Sequence, residues 1–129
     1  MLFFLGVSLV TACDGEKQQR DEAASLSRAV DELRDAPNSD KAPKLKALRA
    51  LGCNHADTCG FRDQCAEAYA EHVKGLEGIA KAKAMDDPFM SAAELKKAEE
   101  TLKAAEAKTG ACADRQGALV RQYRLRDLR

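Results

Sequence analysis

A run of regularly spaced apolar and small side chains constrains the fold of this chain more than any other feature. From Leu95 to Tyr123 the spacing alternates between three and four residues without a slip, which is the heptad pattern of a helix packed along a narrow seam. We predict one continuous helix from about Ala92 to Tyr123, because a long packed helix can absorb the ~1 kcal/mol that Gly110 costs relative to alanine. Two helices broken at Thr109-Gly110 are the alternative. The stripe consists of Leu95, Ala98, Leu102, Ala105, Thr109, Cys112, Gln116, Leu119 and Tyr123.

Three further helices are predicted upstream of this one. Helical spacing of apolar residues predicts a first helix from about Asp21 to Asp35 and a second from Lys41 to Leu51. Asp40 is the expected N-cap of the second helix. A loop is expected next, over Cys53–Gly60, and a third helix should then run to about Met85. The apolar positions of the first two helices are Ala23, Leu26, Val30, Leu33, Leu45, Leu48 and Leu51.

The third and fourth predicted helices should form an antiparallel hairpin. The turn is expected over Asp86–Met90, and Ser91–Glu94 has the pattern of a capping box that starts the fourth helix. Folding back near Pro88 places residues at equal distances from the turn opposite each other, and Cys65 and Cys112 are such a pair. The same register sets Leu76 near Leu102, and Ile79 near Ala98.

Composition and charge limit what these helices can build and bind. The chain has 129 residues, which suits one domain, and its aromatic content of 5% favours a narrow helical seam over a thick core. Its 21 basic residues are balanced by 21 acidic ones, so we expect no nucleic-acid partner, since phosphate binding needs a basic excess. The sequence therefore predicts an all-α fold, in which two shorter helices pack against the open end of the long hairpin.

The first residues differ in kind from the rest of the chain. Met1–Val10 is apolar and uncharged, too short to span a bilayer core of ~30 Å but suited to the apolar region of a signal peptide. It leads into Val10-Thr11-Ala12-Cys13, which resembles the bacterial lipobox: an aliphatic residue, two small residues and the cysteine to be lipidated. No Lys or Arg precedes Lys17, so the basic start of a signal peptide is missing from this sequence.

This resemblance implies a membrane-anchored lipoprotein of the bacterial cell envelope. It implies that Cys13 receives a diacylglycerol and becomes the first residue of the mature protein, where two or three acyl chains give stable anchoring. We therefore expect residues 1–12 to be a signal peptide, residues 13–20 a lipidated tether and residues 21–129 a single helical domain. The protein would face the periplasm or the cell exterior.

With Cys13 set aside, four cysteines remain for the fold. An even number in an exported chain predicts two disulfides, because the periplasm is oxidising. Four cysteines allow three pairings, and the hairpin register favours Cys65–Cys112. The second bridge is then Cys53–Cys59, which closes the loop ahead of the third helix.

The same region admits an interpretation as a small-ligand or metal-binding site. Cys53, His55, Cys59 and Cys65 offer thiolate and imidazole ligands that suit zinc, and His72 could act as a ligand or a pH sensor. Their spacing matches no common zinc arrangement, so we favour disulfides and predict no metal and no cofactor. His72 is expected to be a packed histidine with its polar edge at the boundary of the seam.

No group of residues in the sequence indicates a catalytic site. The carboxylate pairs lie at turns or on helix faces rich in Lys and Arg, and the serines lie at caps or on an amphipathic helix without a nucleophile elbow. We therefore predict a non-enzymatic lipoprotein that acts as an interaction or scaffold element and binds a protein partner of the envelope. The alternative is the small-ligand or metal-binding protein, using the segment Cys53–Cys65 and His72.

Overall fold

The computed structural model describes the backbone of residues 11–128 and the side chains of residues 14–126. Four helices make up most of this range: α1 is Thr11–Asp35, α2 is Lys41–Ala50, α3 is Ala56–Lys83 and α4 is Pro88–Tyr123. Short 3-10 turns occupy Asn38–Asp40 and Leu125–Leu128. Strands are absent from the described range, and the all-α prediction is confirmed. Most of the predicted signal peptide and the side chain of Cys13 lie outside the described residues.

The long hairpin predicted from the heptad stripe is present. α3 and α4 pack together more extensively than any other pair of elements in the described chain. α4 is a single helix of 36 residues, ~54 Å long at a rise of 1.5 Å per residue, so no break occurs at Gly110. Most of its stripe points inward, since the buried residues of α4 are Ala98, Ala105, Cys112, Gln116 and Leu119. Leu95, the first residue of the predicted stripe, is instead 38% exposed.

The hydrophobic core lies at the open end of the hairpin, where α1 and α2 cover it. Phe61 of α3 is fully buried there, among leucines that come from α1 and α2. On the hairpin, the cluster draws only on α3 up to Val73 and on α4 from Cys112 onward. The other half of the hairpin is therefore a pair of helices without a third layer. The predicted stripes of α1 and α2 supply Ala23, Leu26, Val30, Leu33, Leu45 and Leu48 as buried residues and Leu51 as a partly buried one.

A buried glutamine attaches α1 to the hairpin. The Gln116 amide nitrogen donates to the carbonyl and the hydroxyl of Ser27, at 3.1 and 3.0 Å, and to a carboxylate oxygen of Asp31 at 2.9 Å. Its amide oxygen accepts from the guanidinium of Arg34 at 2.6 Å. Every polar atom of this side chain is thus satisfied, which is what a buried amide needs in order not to destabilise the core.

The first helix extends at least ten residues further toward the N-terminus than the sequence predicted, since α1 already includes Thr11. Residues 14–20, expected to be an irregular tether, belong to α1. Residues 16–20 are strong helix formers, and extending an existing helix adds one hydrogen bond per residue without a new nucleation cost, so no apolar stripe is needed. Two side chains also fasten this stretch: Gln19 donates to the Tyr123 hydroxyl at 2.6 Å, and Arg20 to the Arg124 carbonyl at 3.1 Å.

The start of α4 lies before the predicted capping box, which does not form. Asp87 is the N-cap, and its carboxylate accepts from the backbone nitrogens of Phe89 and Met90 at 2.8 and 3.1 Å. Pro88 occupies the first helical turn, where its missing N–H has no consequence. The two residues of the expected box join the hairpin instead, because Ser91 donates to the Ala82 carbonyl at 2.7 Å and Glu94 pairs with Lys81 at 2.8 Å.

Two other predicted boundaries also change. Asp40 does precede α2, but its side chain makes no capping hydrogen bond, because a 3-10 turn leads directly into the helix. The expected loop Cys53–Gly60 is shorter than predicted, since α3 already begins at Ala56.

Two glycines let the uncovered half of the hairpin close tightly. A Cβ atom added to Gly75 would lie 2.6 Å from the Leu102 side chain, and one added to Gly78 would lie 2.9 Å from the Ala98 Cβ. The register predicted from the cysteines therefore holds to within one residue. Gly75 and Gly78, rather than Leu76 and Ile79, lie opposite Leu102 and Ala98. The side chains of Leu76 and Ile79 line a surface cleft instead.

We expect Gly75→Ala to destabilise the protein by about 1–3 kcal/mol, because the new methyl group must displace Leu102 in a closed seam. Gly110→Ala is the matched control: nothing lies within 4 Å of its added Cβ, so it should stabilise by up to ~1 kcal/mol. Denaturant unfolding of the oxidised proteins, followed by far-UV circular dichroism, measures both changes. Equal shifts of the two variants would contradict the close approach at Gly75.

Candidate functional site

All four cysteines of the fold are paired as the sequence predicted. Cys65 and Cys112 are bridged with their Cα atoms 5.0 Å apart, and both side chains are fully buried. Cys53 and Cys59 are bridged with Cα atoms 5.3 Å apart, and this bridge ties the loop to the first turns of α3. The first bridge lies inside the core, whereas the second lies half-buried at its edge.

A carboxylate from α1 lies beside the second bridge, at the start of α3. Glu22 accepts hydrogen bonds from the backbone nitrogen of Asn54 at 2.8 Å, from the backbone nitrogen of His55 at 3.4 Å and from the Thr58 hydroxyl. The His55 ring lies 3.2 Å from the same carboxylate. His55 is the N-cap residue of α3 but makes no side-chain cap of its own. Glu22 therefore supplies the negative charge that a helix N-terminus favours, from a different helix.

The environment of Glu22 keeps its carboxyl group ionised. Burial raises its pKa, but the hydrogen bonds from Thr58, Asn54 and His55 together outweigh burial and hold the pKa below the ordinary value of 4.5. An ionised carboxylate with this many donors is a structural anchor between α1 and α3. Sequence reasoning missed this residue, because nothing near Glu22 in the chain indicates that α3 begins beside it.

The residues considered for a metal site are only partly brought together. One oxygen of Glu22 and the sulfurs of Cys53 and Cys59 lie within 4.8 Å of one another. The two sulfurs are joined in a disulfide, however, and the thiolate is the form of cysteine that binds metals. Cys65 is joined to Cys112 inside the core, and His72 lies 13 residues beyond Cys59 in α3, ~20 Å along the helix axis.

His72 is a packed side chain, as predicted, and not part of a cluster of metal ligands in the described residues. Its ring meets the Tyr69 ring edge-on at a centroid distance of 6.5 Å, and its Nε2 atom is buried without a hydrogen-bond partner in the described part of the chain. The nearby charge belongs to Lys41, whose ammonium group donates to the carbonyls of Leu33 and Arg34 at 3.0 and 2.9 Å. Burial, and then the charge of Lys41, hold the pKa of His72 below its ordinary value of 6.5.

We expect the stability of the protein to fall as the pH drops below about 6.5. The folded protein favours the neutral His72 ring, whereas the unfolded chain takes up the proton at its ordinary pKa of 6.5. Acidification therefore favours unfolding between that value and the lower pKa of the folded state, and the effect vanishes at higher pH. Denaturant midpoints between about pH 5 and pH 7.5 measure it. His72→Gln should flatten the curve, and equal slopes for wild type and His72→Gln would contradict the assignment.

The far end of the hairpin exposes large apolar side chains. Phe89 is 87% exposed and Met90 59% exposed, and we call these two residues the hairpin tip. Asp86 and Asp87 precede them, so acidic and apolar groups lie side by side. The sequence analysis treated this segment only as a turn, although two large apolar residues directly after Asp-Asp-Pro were a visible signal.

A cleft of about 550 Å³ lies between the first 3-10 turn and α3. Its wall is mainly apolar and comes from the part of α3 beyond the core. Asn38 and Ser39 close it on the side of the 3-10 turn. We call it the α3 cleft; its α3 side is formed by Val73, Leu76, Glu77, Ile79, Ala80 and Lys83.

Comparisons of this chain with protein-family models, with curated proteins and with solved structures gave no match. Among the described helices, none combines the length and the apolar character that crossing a membrane requires.

Proposed function

We propose that this protein is a cell-envelope lipoprotein, anchored to a membrane through Cys13, that acts as a non-enzymatic interaction or scaffold element. Its lipid anchor would hold it to the bacterial membrane, facing the periplasm or the cell exterior. The proposal combines the lipobox-like segment that ends at Cys13 with the surface at the opposite end of the molecule.

The observation that carries the proposal is the exposure of the hairpin tip at the end far from Cys13. Cys13 lies in the first turn of α1, and α1 runs antiparallel to α4, because Gln19 meets Tyr123 while Arg34 meets Gln116. The tip lies at the start of α4, ~54 Å from Tyr123. An anchor at one end therefore leaves two apolar side chains at the other.

Exposed apolar side chains raise the free energy of the isolated protein in water, and burying them against a partner favours binding. A single exposed apolar residue is common on protein surfaces, but adjacent large ones indicate an interaction site. Aromatic and methionine side chains are enriched at the centres of protein interfaces, where their burial contributes most of the affinity. The partner that suits the tip is an envelope protein with an apolar pocket and basic groups near it, because Asp86 and Asp87 flank Phe89 and Met90.

The test is photo-crosslinking in living cells with a photoreactive phenylalanine analogue in place of Phe89. We expect one defined adduct to form from this position, since the side chain is 87% exposed and its replacement leaves the core intact. The same analogue at Lys103, an exposed position midway along α4, is the matched control and should give none.

Cys13→Ala in the same experiment tests the anchor. Without the lipid the protein should leave the membrane fraction, lose its labelling by a radioactive fatty acid, and form much less of the adduct. An unchanged adduct and unchanged membrane association in Cys13→Ala would contradict the anchor. The same adducts from positions 89 and 103 would contradict the role of the tip.

A further inference from the structure

The α3 cleft exposes an apolar face of α3 that the rest of the fold meets only at the border formed by Asn38, Ser39 and Ala42. Val73, Leu76 and Ile79 are only half-buried, and the hydrophobic core ends at Val73. The small Ala80 lies exposed in the middle of this face. A helix with this side chain pattern gains stability when a second helix packs against it.

Two charged groups border the same face without a partner. Glu77 and Lys83 both line the cleft, and neither forms an ion pair within the described residues. Lys81, which lies between them in the chain, pairs instead with Glu94 of α4 at 2.8 Å. Glu77 and Lys83 are six residues apart, ~9 Å along the axis, which is too far for them to pair with each other.

The spacing of these groups is self-complementary. If α3 of a second copy packs antiparallel across the face with Ala80 near the twofold axis, Glu77 of each copy comes opposite Lys83 of the other. The arrangement forms two equivalent ion pairs, as a twofold interface requires. Ala80 has the small side chain that lets the two helices approach at the axis. Leu76 would then pack near the exposed Ala84 of the second copy.

We propose that the α3 cleft binds the α3 helix of a second copy of this chain, forming a symmetric dimer. Asn38 and Ser39 border the cleft, and the second copy's α3 would lie beside them. The dimer uses residues other than the hairpin tip, so it stands independently of the proposed envelope partner. In this arrangement the two tips point in opposite directions.

A charge exchange tests the dimer most sharply. In the purified full-length protein, Glu77→Lys or Lys83→Glu alone should weaken dimerisation roughly tenfold, because each creates like-charge contacts at two symmetric positions. The double variant Glu77→Lys/Lys83→Glu restores both pairs and should return the dissociation constant to within about threefold of wild type. Analytical ultracentrifugation measures the constant. Glu99→Lys, on the exposed surface of α4, is the matched control and should have little effect.

Position-specific crosslinking supplies a second readout that does not depend on charge. Under mild oxidation, Ala80→Cys should form a covalent dimer of twice the 14.0 kDa chain mass, whereas Ala104→Cys, also exposed, should not. A wild-type protein that stays monomeric at about 100 µM would overturn the proposal. So would a double variant that dimerises no better than the single ones, or equal crosslinking at positions 80 and 104.

Discussion

The disulfide between Cys65 and Cys112 is the constraint on which the rest of the structure depends. It joins the two long helices inside the hydrophobic core, and both cysteines are completely buried. In the chain-entropy model, a bridge across a sequence separation of 47 residues stabilises the fold by ~4 kcal/mol. A small domain has a total stability of only about 5–15 kcal/mol, so this one covalent contact is a large part of it. The alanine and glycine seam beyond the bridge buries too little apolar surface to hold two helices together by itself.

Polar contacts then fix α1 on this stapled hairpin. Gln116 joins the C-terminal half of α1 to α4, and Glu22 joins the middle of α1 to the start of α3. Leucines of α1 and α2 supply the apolar contact between these two points. The arrangement concentrates stability at one end of the molecule and leaves the other end as an uncovered hairpin, and both proposed interaction surfaces lie on that uncovered part.

Much of the fold could be predicted, because its main signals are local or periodic. The heptad stripe located α4 and its inward face, and the position of Cys65 and Cys112 relative to the turn gave the register to within one residue. Helix ends were less predictable, because several residues near one end can each form a cap. Asp87 is the N-cap of α4, whereas Ser91 and Glu94 form polar contacts with residues of α3. Glu22 could not be found from sequence, since its role depends on which helix end the tertiary fold places next to it.

Disulfide mapping by mass spectrometry of the purified protein, digested without reduction, tests the central claim most directly. The structure requires one peptide pair that joins Cys65 to Cys112 and another that joins Cys53 to Cys59, with no free thiol at these four positions. A linkage between Cys59 and Cys112 would contradict the account, because it would place the start of α3 opposite the middle of α4 and shift the register of the whole hairpin.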